Sequence, residues 1–200
     1  MFIIGITGGT GAGKTSALRA LDAPGILTLD CDAIYHELLS HNAELRAEIA
    51  ARFPGVLHDR AIDRKELGEI VFNDSSALLD LNSITHRYMD RETERRIAEW
   101  ASSGGKVAAI DAVALIESGM NKRCNIVIGV VAPYEARISR IMARDGITHK
   151  QAEMRVDAQK PASFYVENCD IILEGVYEEP GKFEEVCRDF FTTLLHERGI

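Results

Sequence analysis

The sequence is short of everything that marks a membrane, secreted or nucleic-acid-binding chain. No apolar run approaches the roughly 18 residues that a helical membrane span requires. The first seven residues are apolar but carry no basic flank and run straight into glycines, so they do not read as a secretion signal. The four cysteines, Cys31, Cys124, Cys169 and Cys187, include no C-x-x-C pair. In a chain of 200 residues, long enough to fold without staples, they read as reduced thiols, which argues against a disulfide framework and against a zinc site. Positive charge is scarce as well. The formal net charge is -8 and no stretch of five like charges occurs, whereas a nucleic-acid partner calls for a basic face. The expectation is a cytoplasmic protein with neither a membrane nor a nucleic-acid partner; composition gives no oligomeric state.

What is present is a regular alternation. Residues 2–7 form a short, β-branched apolar run without polar interruption, the pattern of a strand buried on both faces. Residues 26–29, 107–110, 126–131 and 169–173 repeat it, and helical patterns lie between them. This predicts an α/β fold, a parallel sheet covered by helices on both faces. Two segments interrupt the alternation. Residues 32–101 show no convincing strand, and Leu78, Leu81, Ile84 and Tyr88 recur there at helical spacing. Residues 133–160 are helical too: Pro133 is placed for a first helical position, Gly146 stops that helix, and Thr148 with Gln151 forms a capping-box pair for the next. Phe183, Val186, Phe190 and Leu194 predict an amphipathic C-terminal helix. The expected organisation is one domain with a core of residues 1–31, 102–132 and 161–200, a helical substrate insertion at 32–101 and a helical lid at 133–160.

The first turn carries the chemistry. Gly8-Gly9-Thr10-Gly11-Ala12-Gly13-Lys14-Thr15 satisfies G-x-x-x-x-G-K-[ST] in full, between a predicted strand and a predicted helix. Glycines let successive backbone N–H groups converge on one anion, and the helix that follows adds its positive end. Residues 9–16, from Gly9 through Thr10, Gly11, Ala12, Gly13, Lys14 and Thr15 to Ser16, are therefore the candidate ATP site. Lys14 would reach the β and γ phosphates, and the Thr15 hydroxyl would take Mg²⁺. Such a loop also serves GTP-dependent switches, but those need an N-K-x-D base reader. Here Asn121-Lys122 is followed by Arg123-Cys124, and Asp111 opens no D-x-x-G.

Carboxylates follow two of the predicted strands. Ligands of open α/β sheets bind beyond the carboxyl ends of strands, which is where Asp30 and Asp32 fall. Asp32 is the candidate base for an acceptor hydroxyl; Asp30 suits Mg²⁺ or a helix cap. Asp111, after residues 107–110, stands at the Walker-B position and is the second candidate Mg²⁺ ligand. Glu117, six residues on, is a candidate for the acceptor pocket. Arg137, Arg140 and Arg144, spaced three and four apart, share a helix face. Arg140 and Arg144 are the candidates for the charge developing on the transferred phosphoryl group. Arg91, Arg95 and Arg96, interleaved with Glu92 and Glu94, read as a charge-balanced exposed face. These residues predict a kinase. They leave open whether the acceptor is one or another nucleoside-like alcohol.

The motifs resemble one family, the dephospho-coenzyme A kinases, from about residue 4 to residue 175. Residues 6–15 are similar to that family's opening and Asp30-Cys31-Asp32 to its D-x-D. Ile62-Asp63-Arg64-Lys65-Glu66-Leu67, Leu81-Asn82-Ser83-Ile84-Thr85-His86, the run from Arg140 to Gly146, Ala158-Gln159 and Cys169-Asp170-Ile171-Ile172 are similar to its later signatures. The chain departs from the family pattern at His36, Arg87, Val113 and Glu174. The resemblance implies a P-loop NTPase three-layer fold with a five-stranded parallel sheet, a helical coenzyme A domain and a lid. It implies ATP with Mg²⁺ as phosphoryl donor, the ribose 3′-hydroxyl of dephospho-coenzyme A as acceptor, Asp32 as base, and Arg64 and His86 as acceptor-binding residues.

Overall fold

A computed structural model describes every residue except Glu178 and Pro180. It divides into two compact units, residues 1–29 with 100–200, and residues 30–99.

The first unit is built on a five-stranded parallel sheet. Its strands are β1 (Phe2–Thr7), β2 (Ile26–Asp30), β5 (Val107–Asp111), β6 (Ile126–Val131) and β7 (Ile171–Glu174), in the order β2-β5-β1-β6-β7. The central β1 pairs with β5 on one side and β6 on the other, and the register sets Ile6 beside both Asp111 and Ile128. Ile4, Ile6, Val107, Ile128 and Val130 are buried in one cluster. Helix α1 (Lys14–Ala20) adds Ala17 and Ala20 to it, and α9 (Lys182–Glu197) adds Phe183, Cys187, Phe191 and Leu194. Gly5 serves close packing elsewhere in β1. A Cβ there would stand 2.7 Å from Leu115 Cδ2 and 2.8 Å from Cys124 Sγ.

Three further helices belong to this unit: α6 (Tyr134–Asp145), α7 (His149–Asp157) and α8 (Ala162–Asn168). Ile138 and Ile141 of α6 pack with Ala152 and Val156 of α7 in a small core of their own. Gly146, at φ 65°, ends α6, and the Thr148–Gln151 capping box starts α7. Such boxes satisfy two helix N–H groups reciprocally.

The second unit holds α2 (Cys31–His41), α3 (Ala43–Arg52), α4 (Arg64–Asn73) and most of α5 (Ser75–Ser102). Side-chain oxygens cap all four of these helices. Asp30 caps α2, Asn42 caps α3 and Asp63 caps α4, and Asp74 Oδ1 accepts the Ser76 and Ala77 amides at the start of α5.

The structure revises several local expectations. Residues 32–101 do contain strands, a hairpin of β3 (Leu57–His58) and β4 (Ala61–Ile62), too short to show a period in sequence. Leu78 is 42% exposed and Ala77 takes its inward place beside Leu81, Ile84 and Tyr88. In α9 Cys187 and Phe191 are the fully buried residues, one position past the expected Val186 and Phe190. Pro133 is the N-cap of α6 and not its first helical residue. The last strand begins at Ile171, because Cys169 ends α8 and Asp170 turns its carboxylate onto the Val127 N–H at 2.7 Å. All four cysteines are free, Cys31 and Cys187 buried and the other two half-buried.

Candidate active site

The loop between β1 and α1 takes its shape from glycines whose side chains have no room. Gly8 has φ 147°, and a Cβ there would lie 2.2 Å from the Val130 carbonyl oxygen. Gly11, at φ 78°, would press on the Arg137 backbone at 2.7 Å, and Gly13, at φ 116°, on the Phe183 ring at 2.8 Å. Positive φ with neighbours this close, backbone at Gly8 and Gly11 and a ring at Gly13, favours glycine at all three. Within the loop the Ala12 N–H donates to Gly9 O at 3.1 Å. Thr7, fully buried at the end of β1, donates its hydroxyl to Val113 O at 3.1 Å, tying the loop's entry to the segment after β5. Gly13 is the N-cap of α1 with no side-chain cap. The helix therefore offers its first N–H groups to an anion.

Side chains from two later segments hold this loop. Arg137, only 7% exposed, donates its Nε to Thr10 O at 2.9 Å and its Nη2 to Gln159 Oε1 at 2.8 Å. That same Oε1 accepts the Thr10 N–H at 2.7 Å, and Gln159 Nε2 donates to Thr10 Oγ1 at 2.8 Å. Thr10 is thus gripped at its amide, its carbonyl and its hydroxyl. Burial disfavours the charge on Arg137, and the nearby Tyr165 and Tyr134 hydroxyls favour it. A guanidinium stays protonated in proteins. Arg140 donates Nη1 to Gly11 O at 3.1 Å and Nη2 to Gly175 O at 2.7 Å, joining the loop to the segment after β7. Arg144, one turn further along α6, pairs with Asp145 at 2.7 Å, and its side chain is largely exposed.

The predicted site residues fall in both units. The loop, Asp111, Glu117, Arg137, Arg140 and Arg144 belong to the first. Asp111 closes β5 half-buried, in register with Ile6 one residue before the end of β1. The exposed Thr15 hydroxyl and the Asp111 carboxylate are hard oxygen donors, which suits Mg²⁺. Glu117 is exposed after β5. Its charge helps hold the buried Tyr165 hydroxyl at a pKa of about 12, where desolvation by burial is the larger cause. Asp32, Arg64 and His86 lie in the second unit. Asp30 is a helix cap, its Oδ1 accepting from the Asp32 and Ala33 amides at 2.9 and 3.1 Å. Asp32 is exposed in the first turn of α2. Arg64 opens α4 close enough to Tyr35 to oppose the rise that burial gives that hydroxyl. His86 is half-buried on α5. The Arg91–Arg96 face is charge-balanced as expected. Arg95 and Arg96 both grip Glu92, and Arg96 also reaches Glu37.

Sequence reasoning missed the buried partners. Arg137 shared a helix face with Arg140 and Arg144 but was passed over in their favour, Gln159 stood only in a family signature, and neither it nor Tyr165 carried a role. A glutamine 149 residues from the threonine it holds leaves no local pattern.

Comparison with known proteins agrees with this geometry. Residues 2–178 match the dephospho-CoA kinase family model. The chain is 41% identical to a dephospho-CoA kinase of Geobacter sulfurreducens over 177 residues, 88% of this chain and 90% of that protein. A Thermus thermophilus crystal structure matches with a TM-score of 0.80 at 27% identity, covering 98% of this chain and 97% of that one. A dephospho-CoA kinase structure from Campylobacter jejuni matches with a TM-score of 0.69 at 25% identity, covering 96% of each chain. With its phosphate loop intact and a family match over most of its length, the chain belongs to the dephospho-CoA kinase family and is a phosphotransferase.

Proposed function

We propose that the chain transfers the γ-phosphoryl group of ATP to the ribose 3′-hydroxyl of dephospho-CoA. The observation that carries this reading is the glycine-shaped loop at the end of β1, braced on Thr10 by Arg137 and Gln159, in a chain of this family. A loop held this firmly meets the β and γ phosphates without reorganising, and preorganised donors are where phosphoryl transfer gains most of its rate.

In this reading the loop amides and Lys14 hold the β and γ phosphates. Thr15 and Asp111 would hold Mg²⁺, which when bound neutralises charge on the phosphate oxygens. Asp32 orients the acceptor hydroxyl and takes its proton. Arg140 and Arg144 oppose the charge on the transferring group, and Arg64, His86 and Glu117 contact the acceptor.

The test is ADP release from MgATP with dephospho-CoA, adenosine, AMP or no acceptor, and location of the new phosphate by NMR. Stimulation by dephospho-CoA with 3′-phosphorylation is expected. Turnover on a different acceptor would leave a kinase with another substrate. Tight ATP binding without turnover on any acceptor would replace the reading with a nucleotide-binding switch.

A further inference from the structure

The second unit carries a strained residue that its own turn does not need. The β3–β4 hairpin closes through two residues, Asp59 at φ 48° and Arg60 at φ 68°. Both central φ values are positive, the geometry for which Asn-Gly and Asp-Gly are preferred. A left-handed conformation brings the Cβ of any residue but glycine too close to the following carbonyl oxygen. Glycine at position 60 would remove most of that strain, and arginine stands there instead. Strain of this kind persists where surrounding structure or function requires the residue.

Arg60 lines a notch of about 200 Å³ together with His36, Ser40, Ile62 and Arg64. All belong to the second unit: His36 and Ser40 come from α2, Arg60 and Ile62 from the hairpin, and Arg64 from the start of α4. Neither guanidinium has a hydrogen bond or an ion pair to another described residue. Two of the nearby acids are engaged elsewhere, and the third, Asp59, precedes Arg60 in the turn and favours the charge on His58. Asp63 accepts the Lys65 and Glu66 amides at 2.8 and 3.0 Å, and Glu66 pairs with His58 at 2.8 Å. In a chain of net charge -8, two guanidiniums line one concavity, and among the described residues no carboxylate is hydrogen-bonded or ion-paired to either. Paired guanidiniums are suited to bidentate recognition of phosphate oxygens.

We propose that this notch is an anion subsite, in which Arg60 and Arg64 hold the diphosphate bridge of the acceptor. The proposal rests on the acceptor assigned above and adds Arg60, His36 and Ser40 to its binding surface. Arg60 then contributes binding at the expense of the turn's own stability. Charge and hydrogen-bond capacity at position 60 are what the ligand reads, so the residue sets affinity for a diphosphate-bearing acceptor and takes no part in the chemical step.

The decisive variant is Arg60→Gly, since it relieves the turn while deleting the contact. Its melting temperature is expected to rise. KM for dephospho-CoA is expected to increase about tenfold, the loss of one charge-assisted contact, with kcat and KM for ATP unchanged. Arg60→Lys should fall between Arg60→Gly and the natural protein. A stabilised Arg60→Gly with unaltered KM for dephospho-CoA would overturn the proposal. A second measurement separates this from a wrong acceptor: inorganic pyrophosphate titrated into the full chain after a non-hydrolysable ATP analogue has saturated the phosphate loop. Binding that is lost in Arg60→Gly supports the subsite even if dephospho-CoA is not the acceptor. Equal binding by both proteins, or binding by neither, overturns it.

Discussion

Gln159 holds Thr10 at two atoms at once, its Oε1 accepting the Thr10 N–H at 2.7 Å while its Nε2 donates to Thr10 Oγ1 at 2.8 Å. The same Oε1 is an acceptor for the buried Arg137, so one amide side chain satisfies the loop and the guanidinium together. Gln159→Ala would leave Arg137 Nη2 and the Thr10 amide short of an acceptor. A stability loss of about 1–3 kcal/mol in urea unfolding is expected from orphaning such groups, together with weaker ATP binding by calorimetry. Arg137→Lys should behave nearly as badly, because an ammonium cannot supply the fork. A Gln159→Ala protein matching the natural one in both measurements would mean the brace contributes nothing.

Glycine is required at some turns of this chain and merely comfortable at others. Gly8→Ala puts a methyl 2.2 Å from a backbone carbonyl oxygen at φ 147°, and neither side can yield. The expected loss is on the order of 3 kcal/mol or more, with loss of nucleotide binding. Gly146 has φ 65° but open space around it, so Gly146→Asn should cost no more than about 1 kcal/mol. Equal effects of the two substitutions, compared by denaturant midpoints, would contradict the close approach at Gly8.

Binding and chemistry should separate between Lys14 and Asp32. Lys14→Ala is expected to weaken ATP affinity directly, read by titration calorimetry. Asp32→Asn should bind ATP normally while turnover falls roughly 10²–10⁴-fold, the contribution of a positioned general base. Turnover within about threefold of the natural protein would remove Asp32 from that role.

Acid should loosen the second unit at Glu92. Hydrogen bonds from Arg95, opposed by partial burial and reinforced by Arg96, bring its pKa from 4.5 to about 2. A carboxylate with a depressed folded-state pKa contributes stability that is complete above its unfolded value and lost as pH falls through the folded one. The stability gap between the natural protein and Glu92→Gln should therefore be constant above pH 4.5 and close between pH 4.5 and about 2. A gap that stays constant through that window would show that Glu92 makes no such contribution.

The sequence by itself determined the features written in neighbouring residues. Short apolar runs marked four of the five sheet strands to within a residue, because a strand buried on both faces cannot carry polar side chains. The phosphate loop was legible because its geometry needs glycine and lysine at fixed offsets, and the Thr148–Gln151 box because its partners are three residues apart. Only the tertiary structure decided which of three similar arginines is buried. Arg137 turns inward because the Thr10 carbonyl and Gln159 Oε1 wait there, and those acceptors come from 127 residues before it and 22 after. The positive φ of Arg60 was equally hidden, since a hairpin of two-residue strands leaves no period in the sequence and no composition rule places an arginine at a turn position suited to glycine. Local steric and hydrogen-bonding rules act over a few residues and can be read in order along the chain. Partnerships across a hundred residues depend on where the sheet has already brought the backbone.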